Sequence, residues 1–310
     1  MTVTVLFAAH ADRWATYETP LNTAFEAKGI AAHLSRDFAP ADVDYIVYAP
    51  NSPLQDFTPY TRAKAVLNLW AGVEGMVKNP TLKIPLARMV DPGMTKSMTE
   101  WVAGHVMRYH LGMDRHIVNP QQAWTPHTPP LASERRVCIL GMGALGSAVA
   151  ATLSSLGFHV NGWSRSARDV PGVSMHHGTD GLSTALNTAE ILILLLPDTP
   201  ATQNTLDAQA LAQLPKGAFV INPGRGPLID DDALLEALDQ GRVAGATLDV
   251  FRVEPLPQEH PFWAHPKITV TPHVAAETRP VTAAEVIAEN IRRGEAGEPF
   301  LHLVDRSSGY

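Results

Sequence analysis

The run Gly141-Met142-Gly143-Ala144-Leu145-Gly146 constrains this chain more than any other feature, because it joins a strand pattern to a helix pattern. Arg136 to Leu140 reads as a short buried strand, and Ala144 to Leu156 reads as a helix. Glycines in GxGxxG spacing on such a turn have separate tasks. Gly141 permits the tight turn, Gly143 lets a pyrophosphate approach the backbone, and Gly146 lets helix and strand pack closely. The helix N-terminus, with Ala144 and Leu145 in its first turn, adds free N–H groups and a partial positive charge. With Phe158 to Trp163 as the next strand, the pattern defines a dinucleotide-binding strand–helix–strand unit.

The end of that second strand selects among dinucleotides. An acidic residue there binds a free ribose 2′-hydroxyl, as in NAD-preferring folds. This chain has Ser164-Arg165-Ser166 instead, with Arg168 close behind. A carboxylate would repel a 2′-phosphate, whereas a hydroxyl and a guanidinium bind one through charge-assisted hydrogen bonds. The expected cofactor is therefore NADP, with NADPH preferred over NADH.

At 310 residues the chain is long enough for two domains, each with its own core. Its formal net charge of -7 argues against nucleic-acid binding, and it means that an anionic substrate needs a local basic residue. The only cysteine, Cys138, lies inside a strand pattern and reads as a buried structural thiol. No apolar run reaches membrane-spanning length, and Thr2 to Ala9 reads as a strand, not a signal peptide. A cytoplasmic location with no membrane partner is expected, and no metal-ligand cluster stands out.

Strand patterns at Val3–Ala8, Ala31–Leu34, Tyr45–Tyr48 and Val66–Leu69, with a helix over Thr19–Lys28, indicate a small parallel α/β domain. Met98 to Gly112 reads as a long helix, followed by a Pro-rich extended arm from Asn119 to Pro130. A second α/β series then runs through strands near Val137–Leu140, Phe158–Trp163, Ile191–Leu196, Ala218–Asn222, Val243–Leu248 and Ile268–Thr271, with a helix over Asp230–Gln240. The amphipathic stretch Val281–Arg293 is too short to form a domain alone, so it is assigned to the first one. The expected division is 1–95 plus 276–310 for a substrate domain and 96–275 for the dinucleotide-binding domain, with a hinged cleft between them.

Three further pieces follow strands of the second series, which puts them at the ligand-binding edge of an open α/β sheet. They are Asn222-Pro223-Gly224-Arg225-Gly226, the stretch Asp249 to Pro257 containing Glu254, and Thr271-Pro272-His273-Val274-Ala275-Ala276. Alone, each has an ordinary explanation: an exposed turn, a solvated carboxylate, one histidine among 13.

Taken together, Arg225, Glu254 and His273 after successive strands resemble the D-isomer-specific 2-hydroxyacid dehydrogenases. The likeness covers nearly the whole chain and is closest to the family's glyoxylate/hydroxypyruvate reductase A branch. Trp163-Ser164-Arg165, Leu195 to Pro200, Leu248 to Phe251, Glu254 to Pro257, Thr278-Arg279-Pro280, and Val304 to Arg306 with Gly309-Tyr310 all match that branch.

The resemblance implies two doubly wound domains, a Rossmann domain and a flavodoxin-like substrate domain closed by the C-terminal helix. It implies Arg225, Glu254 and His273 as catalytic residues. It adds Leu196, Pro197, Thr202, Asn222, Pro223, Gly224 and Asp249 to the cofactor site. Trp70-Ala71-Gly72-Val73 resembles the family's carboxylate-binding loop, and with Arg225 and His273 completes the substrate site. Trp70 stands where a small residue is expected, and either walls the pocket or fills core. Gly224 replaces the usual alanine, and the role of Arg279 is open.

The implied activity is NADPH-dependent reduction of small 2-oxo acids, glyoxylate to glycolate and hydroxypyruvate to D-glycerate, by a homodimer assembled through the long helix and arm. The alternatives are a reductase of bulkier 2-oxo acids and a non-catalytic nucleotide sensor on the same fold.

Overall fold

A computed structural model describes residues 2–117, 119 and 121–306. Pro120 of the arm and the terminal Gly309-Tyr310 lie outside the described residues. The chain divides into two compact units, Met1–Met94 with Thr278–Tyr310, and Thr95–Glu277.

The first unit holds strands β1 (Val3–Ala8), β2 (Ala32–Ser35), β3 (Tyr45–Tyr48), β4 (Ala65–Asn68) and β5 (Leu86–Ala87). They form one parallel sheet of order β2-β1-β3-β4-β5, the flavodoxin-like arrangement. Tyr45–Tyr48 and Ala65–Asn68 are buried along their whole length, as parallel strands covered on both faces must be. Helices α1 (Trp14–Ala27) and α2 (Glu74–Val77) belong to this unit, and α3 (Pro92–Leu111) runs from it into the second.

The second unit continues with α4 (Asp114–Ile117), β6 (Arg136–Leu140), α5 (Ala144–Ser155), β7 (His159–Ser164), β8 (Ser174–His177), α6 (Gly178–Thr188), β9 (Ile191–Leu194), α7 (Ala208–Gln213), β10 (Ala218–Asn222), α8 (Asp231–Asp239), β11 (Val243–Leu248) and β12 (Ile268–Val270). Its seven parallel strands take the order β12-β11-β10-β9-β6-β7-β8. Strand order reverses between β6 and β9, and at that switch point an open α/β sheet binds its ligand. Val137 to Leu140 and Ile191 to Leu194 are fully buried there. Cys138 is among them, and burial pushes its thiol up to about 12, so it is packing and not a nucleophile.

The last helix, α9 (Pro280–Ala296), returns to the first unit and packs against α1, with Lys28 paired to Glu289 at 2.8 Å. Proline at its first turn and Gly297 in the left-handed region at its end mark its limits. Two helices begin earlier than their patterns suggest. α1 starts at Trp14 and runs through Pro20, and α3 starts at Pro92. Strand β8 has no apolar alternation and exists through its pairing with β7. No described helix is long and apolar enough to cross a membrane.

Candidate active site

The glycine turn performs the packing its spacing calls for. Gly141 has φ +105°, and a Cβ there would lie 2.5 Å from the Leu195 carbonyl group. A Cβ on Gly146 would lie 2.0 Å from the Gly141 oxygen, so only glycine lets α5 start this close to β6. Gly143 is exposed, and a Cβ there would meet nothing within 4 Å. That open backbone at the start of a 12-residue helix, beside exposed Ala144 and half-buried Leu145, fits a pyrophosphate.

At the end of β7, Ser164 Oγ donates to the Ser166 oxygen at 2.8 Å, folding the next residues into a tight turn. Arg165, Ser166 and Arg168 are exposed on it, and Arg168 Nη1 donates to the Met142 oxygen of the glycine turn. Beyond β9, Leu196 is buried in the core and Pro197 is half-buried. Thr202 Oγ1 donates to the Pro197 oxygen at 2.6 Å and accepts from the Thr199 N–H at 2.9 Å, closing that loop.

Arg225 is aimed by its neighbours. Buried Asn222 accepts from the Gly224 N–H at 3.1 Å and donates to the Arg225 oxygen at 2.9 Å, which braces the turn after β10. A Cβ on Gly224 would sit 2.7 Å from the Leu194 oxygen, and one on Gly226 would sit 2.0 Å from the Phe251 carbonyl carbon. Glycine at Gly224 therefore matches a close backbone approach in this chain. Asn222, Pro223 and Gly224 are all buried, so they hold the turn while the half-buried Arg225 side chain extends from it, its Nη1 donating to the Gly224 oxygen at 2.7 Å.

Glu254 and His273 meet directly, with Glu254 Oε2 2.7 Å from His273 Nδ1. The other carboxylate oxygen, Oε1, accepts from the Phe251 N–H at 2.9 Å. Burial pushes the Glu254 carboxyl up, but the bonds from His273 and Phe251 outweigh it and hold the group below its ordinary range. The bond to Glu254 raises His273 above its ordinary value, and burial opposes this only partly. The Arg225 charge acts on both, favouring the Glu254 carboxylate and disfavouring the His273 cation.

Asp249 is drawn into the loop beyond β12. The expected cofactor contact is fully buried, and its carboxylate serves the loop that carries His273. Its oxygens accept from Thr271 Oγ1 at 2.5 Å, the Val274 N–H at 3.0 Å and the Ala275 N–H at 2.9 Å. His273 itself has φ +54°, and its N–H donates to the backbone carbonyl oxygen of Asp249 at 2.9 Å. The Asp249 carboxylate thus braces this loop, and strand-end spacing alone does not separate such a brace from a ligand contact.

In the first unit, Trp70 to Val73 form the loop between β4 and α2. Trp70 is 42% exposed, which rules out core filling. Asn68, not singled out by its position in the sequence, is the residue that shapes this loop. Buried at the end of β4, it donates through Nδ2 to the oxygens of Trp70 at 2.8 Å and Gly72 at 3.0 Å. Thr278 Oγ1 takes the Leu69 oxygen at 2.8 Å. The carbonyls of Leu69, Trp70 and Gly72 are thus turned to these donors. Arg279 is exposed at the N-terminus of α9.

A doubly wound sheet with a glycine turn at its switch point, and a histidine–carboxylate pair with an arginine at neighbouring strand ends, defines a nicotinamide-dependent oxidoreductase. Residues 104–275, more than half of the chain, match the profile of the D-isomer specific 2-hydroxyacid dehydrogenase NAD binding domain. The chain is 41% identical over 282 residues to glyoxylate/hydroxypyruvate reductase A of Serratia proteamaculans, covering 88% of this chain and 89% of the relative. A D-isomer specific 2-hydroxyacid dehydrogenase from Xanthobacter autotrophicus Py2, solved with NADPH and MES, superposes with a TM-score of 0.94 at 38% identity over 100% of both chains. The NADPH-dependent glyoxylate/hydroxypyruvate reductase of Sinorhizobium meliloti, solved with NADP and sulfate, gives 0.85 at 34% identity over 100% of this chain and 99% of that one. The protein belongs to the D-isomer specific 2-hydroxyacid dehydrogenases, and it is an NAD(P)-dependent enzyme of that family.

Proposed function

We propose that this enzyme reduces small 2-oxo acids with NADPH in the cytoplasm, converting glyoxylate to glycolate and hydroxypyruvate to D-glycerate. The observation that carries the reading is the 2.7 Å contact between Glu254 and His273, with the Arg225 charge acting on both. Relatives named for this reaction, and related structures holding NADPH or NADP, support it.

With its pyrophosphate held at the turn of Gly141, Gly143 and Gly146, a reduced nicotinamide dinucleotide would supply the hydride for C2 of the oxo acid. Arg225 binds the substrate carboxylate and the 2-oxo oxygen, drawing electron density off C2. His273, with Nδ1 engaged by Glu254, delivers the proton on Nε2 to the oxygen as it becomes an alkoxide. Glu254 stabilises the imidazolium before that transfer and keeps the acid form populated. Ala71, Gly72 and Val73 take the carboxylate at an anion nest, and exposed Trp70 limits the size of the group on C2. Ser164, Arg165 and Ser166 receive the 2′-phosphate.

NADPH oxidation across a panel of 2-oxo acids tests the reading. Turnover of glyoxylate and hydroxypyruvate, with little for branched or aromatic acids, is expected. His273→Gln should cost ~10²–10⁴ in rate, and a folded variant with normal turnover would defeat the assignment. Equal kcat/KM for NADPH and NADH would defeat the cofactor preference.

The reading includes a homodimer. Ile117, Trp124 and Leu131, on or beside the Pro-rich arm, are 68%, 97% and 69% exposed in a single chain, an unusual amount of large apolar surface for one segment. Sedimentation at micromolar concentration should give twice the mass of one chain.

A further inference from the structure

We infer that His177 is an additional contact for the 2′-phosphate of the cofactor, and so a residue that sets the preference for NADPH over NADH. The inference rests on the reading of Ser164 and Arg165 as a 2′-phosphate site. Strands β7 and β8 are parallel and in register, with Gly162 opposite Met175 and Ser164 opposite His177. His177 thus stands beside the strand end where the 2′-hydroxyl or 2′-phosphate of a dinucleotide is recognised.

The sheet face is also determined. A Cβ on Gly162 would lie 2.7 Å from Met175 Sδ and 2.9 Å from Met142 Cγ, so Met175 shares its face with the glycine turn. His177 lies two residues further along the same strand and points the same way. Ala167, Arg168, Asp169, Met175 and His177 line one hollow there. Arg168 ties that hollow to the phosphate end of the site through its bond to the Met142 oxygen. His177 is the residue preceding α6, and its ring makes no capping bond to that helix.

The charge balance of the hollow gives the imidazole its task. Asp169 is the carboxylate of the lining and opposes a phosphate, while Arg168 attracts one. A second donor in the lining makes the hollow favour the phosphate over the bare hydroxyl. An imidazole N–H supplies that donor, and Ser164 supplies a hydroxyl across the register. Because the inferred bond is to the phosphate alone, the residue discriminates between the two cofactors and leaves their common parts alone.

Calorimetric titration of the intact enzyme with NADP+, NAD+, adenosine 2′,5′-bisphosphate and AMP tests this without relying on turnover. His177→Phe keeps an aromatic ring and removes the donor. It should weaken NADP+ and the bisphosphate roughly 10- to 150-fold and leave NAD+ and AMP unchanged, as expected for one hydrogen bond to a charged group. His177→Gln, which retains an N–H donor, should recover most of the loss. Equal weakening of all four ligands, or no weakening of any, overturns the inference. If the unaltered enzyme binds NAD+ as tightly as NADP+, the 2′-phosphate reading itself falls; if it prefers NADP+ and His177→Phe keeps that preference, only the role of His177 falls.

Discussion

Glu254 Oε2 lies 2.7 Å from His273 Nδ1, and the two groups shift each other in opposite directions: the carboxyl is lowered and the imidazole is raised. His273 therefore keeps its proton to higher pH than an isolated histidine, whose ordinary value is ~6.5. Reduction needs that proton, so kcat should hold on the acidic side and fall as pH rises through the raised value. Glu254→Gln removes the charge that raises it. The falling limb of the kcat–pH profile should move to lower pH, with a loss of ~10-fold or more at pH 8. An unmoved limb would mean that His273 is not the titrating acid.

Gly143 and Gly146 should respond oppositely to the same change. Gly146→Ala puts a methyl 2.0 Å from the Gly141 oxygen, where backbone faces backbone, so β6 and α5 must separate. A stability loss of about 2 kcal/mol or more is expected in thermal melting. Gly143→Ala meets no protein atom within 4 Å, so melting should change by about 1 kcal/mol or less. Its methyl instead occupies the approach of the pyrophosphate, and NADPH affinity should fall at least ~10-fold. Normal NADPH binding by Gly143→Ala would move the phosphates elsewhere.

The features legible in the sequence are those where local chemistry and fold agree. Glycines at 141, 143 and 146 between a buried strand and a helix determine the switch-point turn, and the buried runs around Ile139 and Ile193 mark a parallel sheet covered on both faces. Ser174 to His177 carries no such signal. Its strand exists because β7 offers an edge, a relationship over distance that periodicity does not record. Polar residues divide in the same way. Glu254 and His273 can be located by their place after strands, but Asp249 has a similar place and turns inward to hold a loop. Asn68 looks like the polar end of a strand until its two bonds to the next loop are seen.

Asn68→Ala should separate loop shape from chemistry. The substitution removes the Asn68 donor from the Gly72 oxygen and leaves the Trp70 oxygen only the Met89 N–H, at a cost of about 1–3 kcal/mol in melting. The proposed nest at Ala71 to Val73 loses its support, so KM for glyoxylate should rise ~10-fold while kcat changes less than ~3-fold. NADPH affinity, which depends on the glycine turn of the other unit, should stay as it was. A fall in kcat with KM unchanged would count against the nest.

Asp249→Asn tests whether a buried carboxylate positions His273. Both oxygens of Asp249 accept, from Thr271 Oγ1 and from the N–H groups of Val274 and Ala275. An amide preserves the shape but turns one acceptor into a donor, which then faces an N–H or hydroxyl donor in a site closed to water. Repulsion there should loosen residues 271–275 and cost about 2–4 kcal/mol in melting. The Val274 and Ala275 N–H groups that flank His273 then lose their anchor, and the loosened loop takes Nδ1 away from Glu254. The rate should fall ~10- to 100-fold, and its pH limb should move to lower pH as in Glu254→Gln, since the imidazole loses the same partner. A merely structural residue would lower the melting temperature without moving that limb, so melting and the pH profile together decide the role of Asp249.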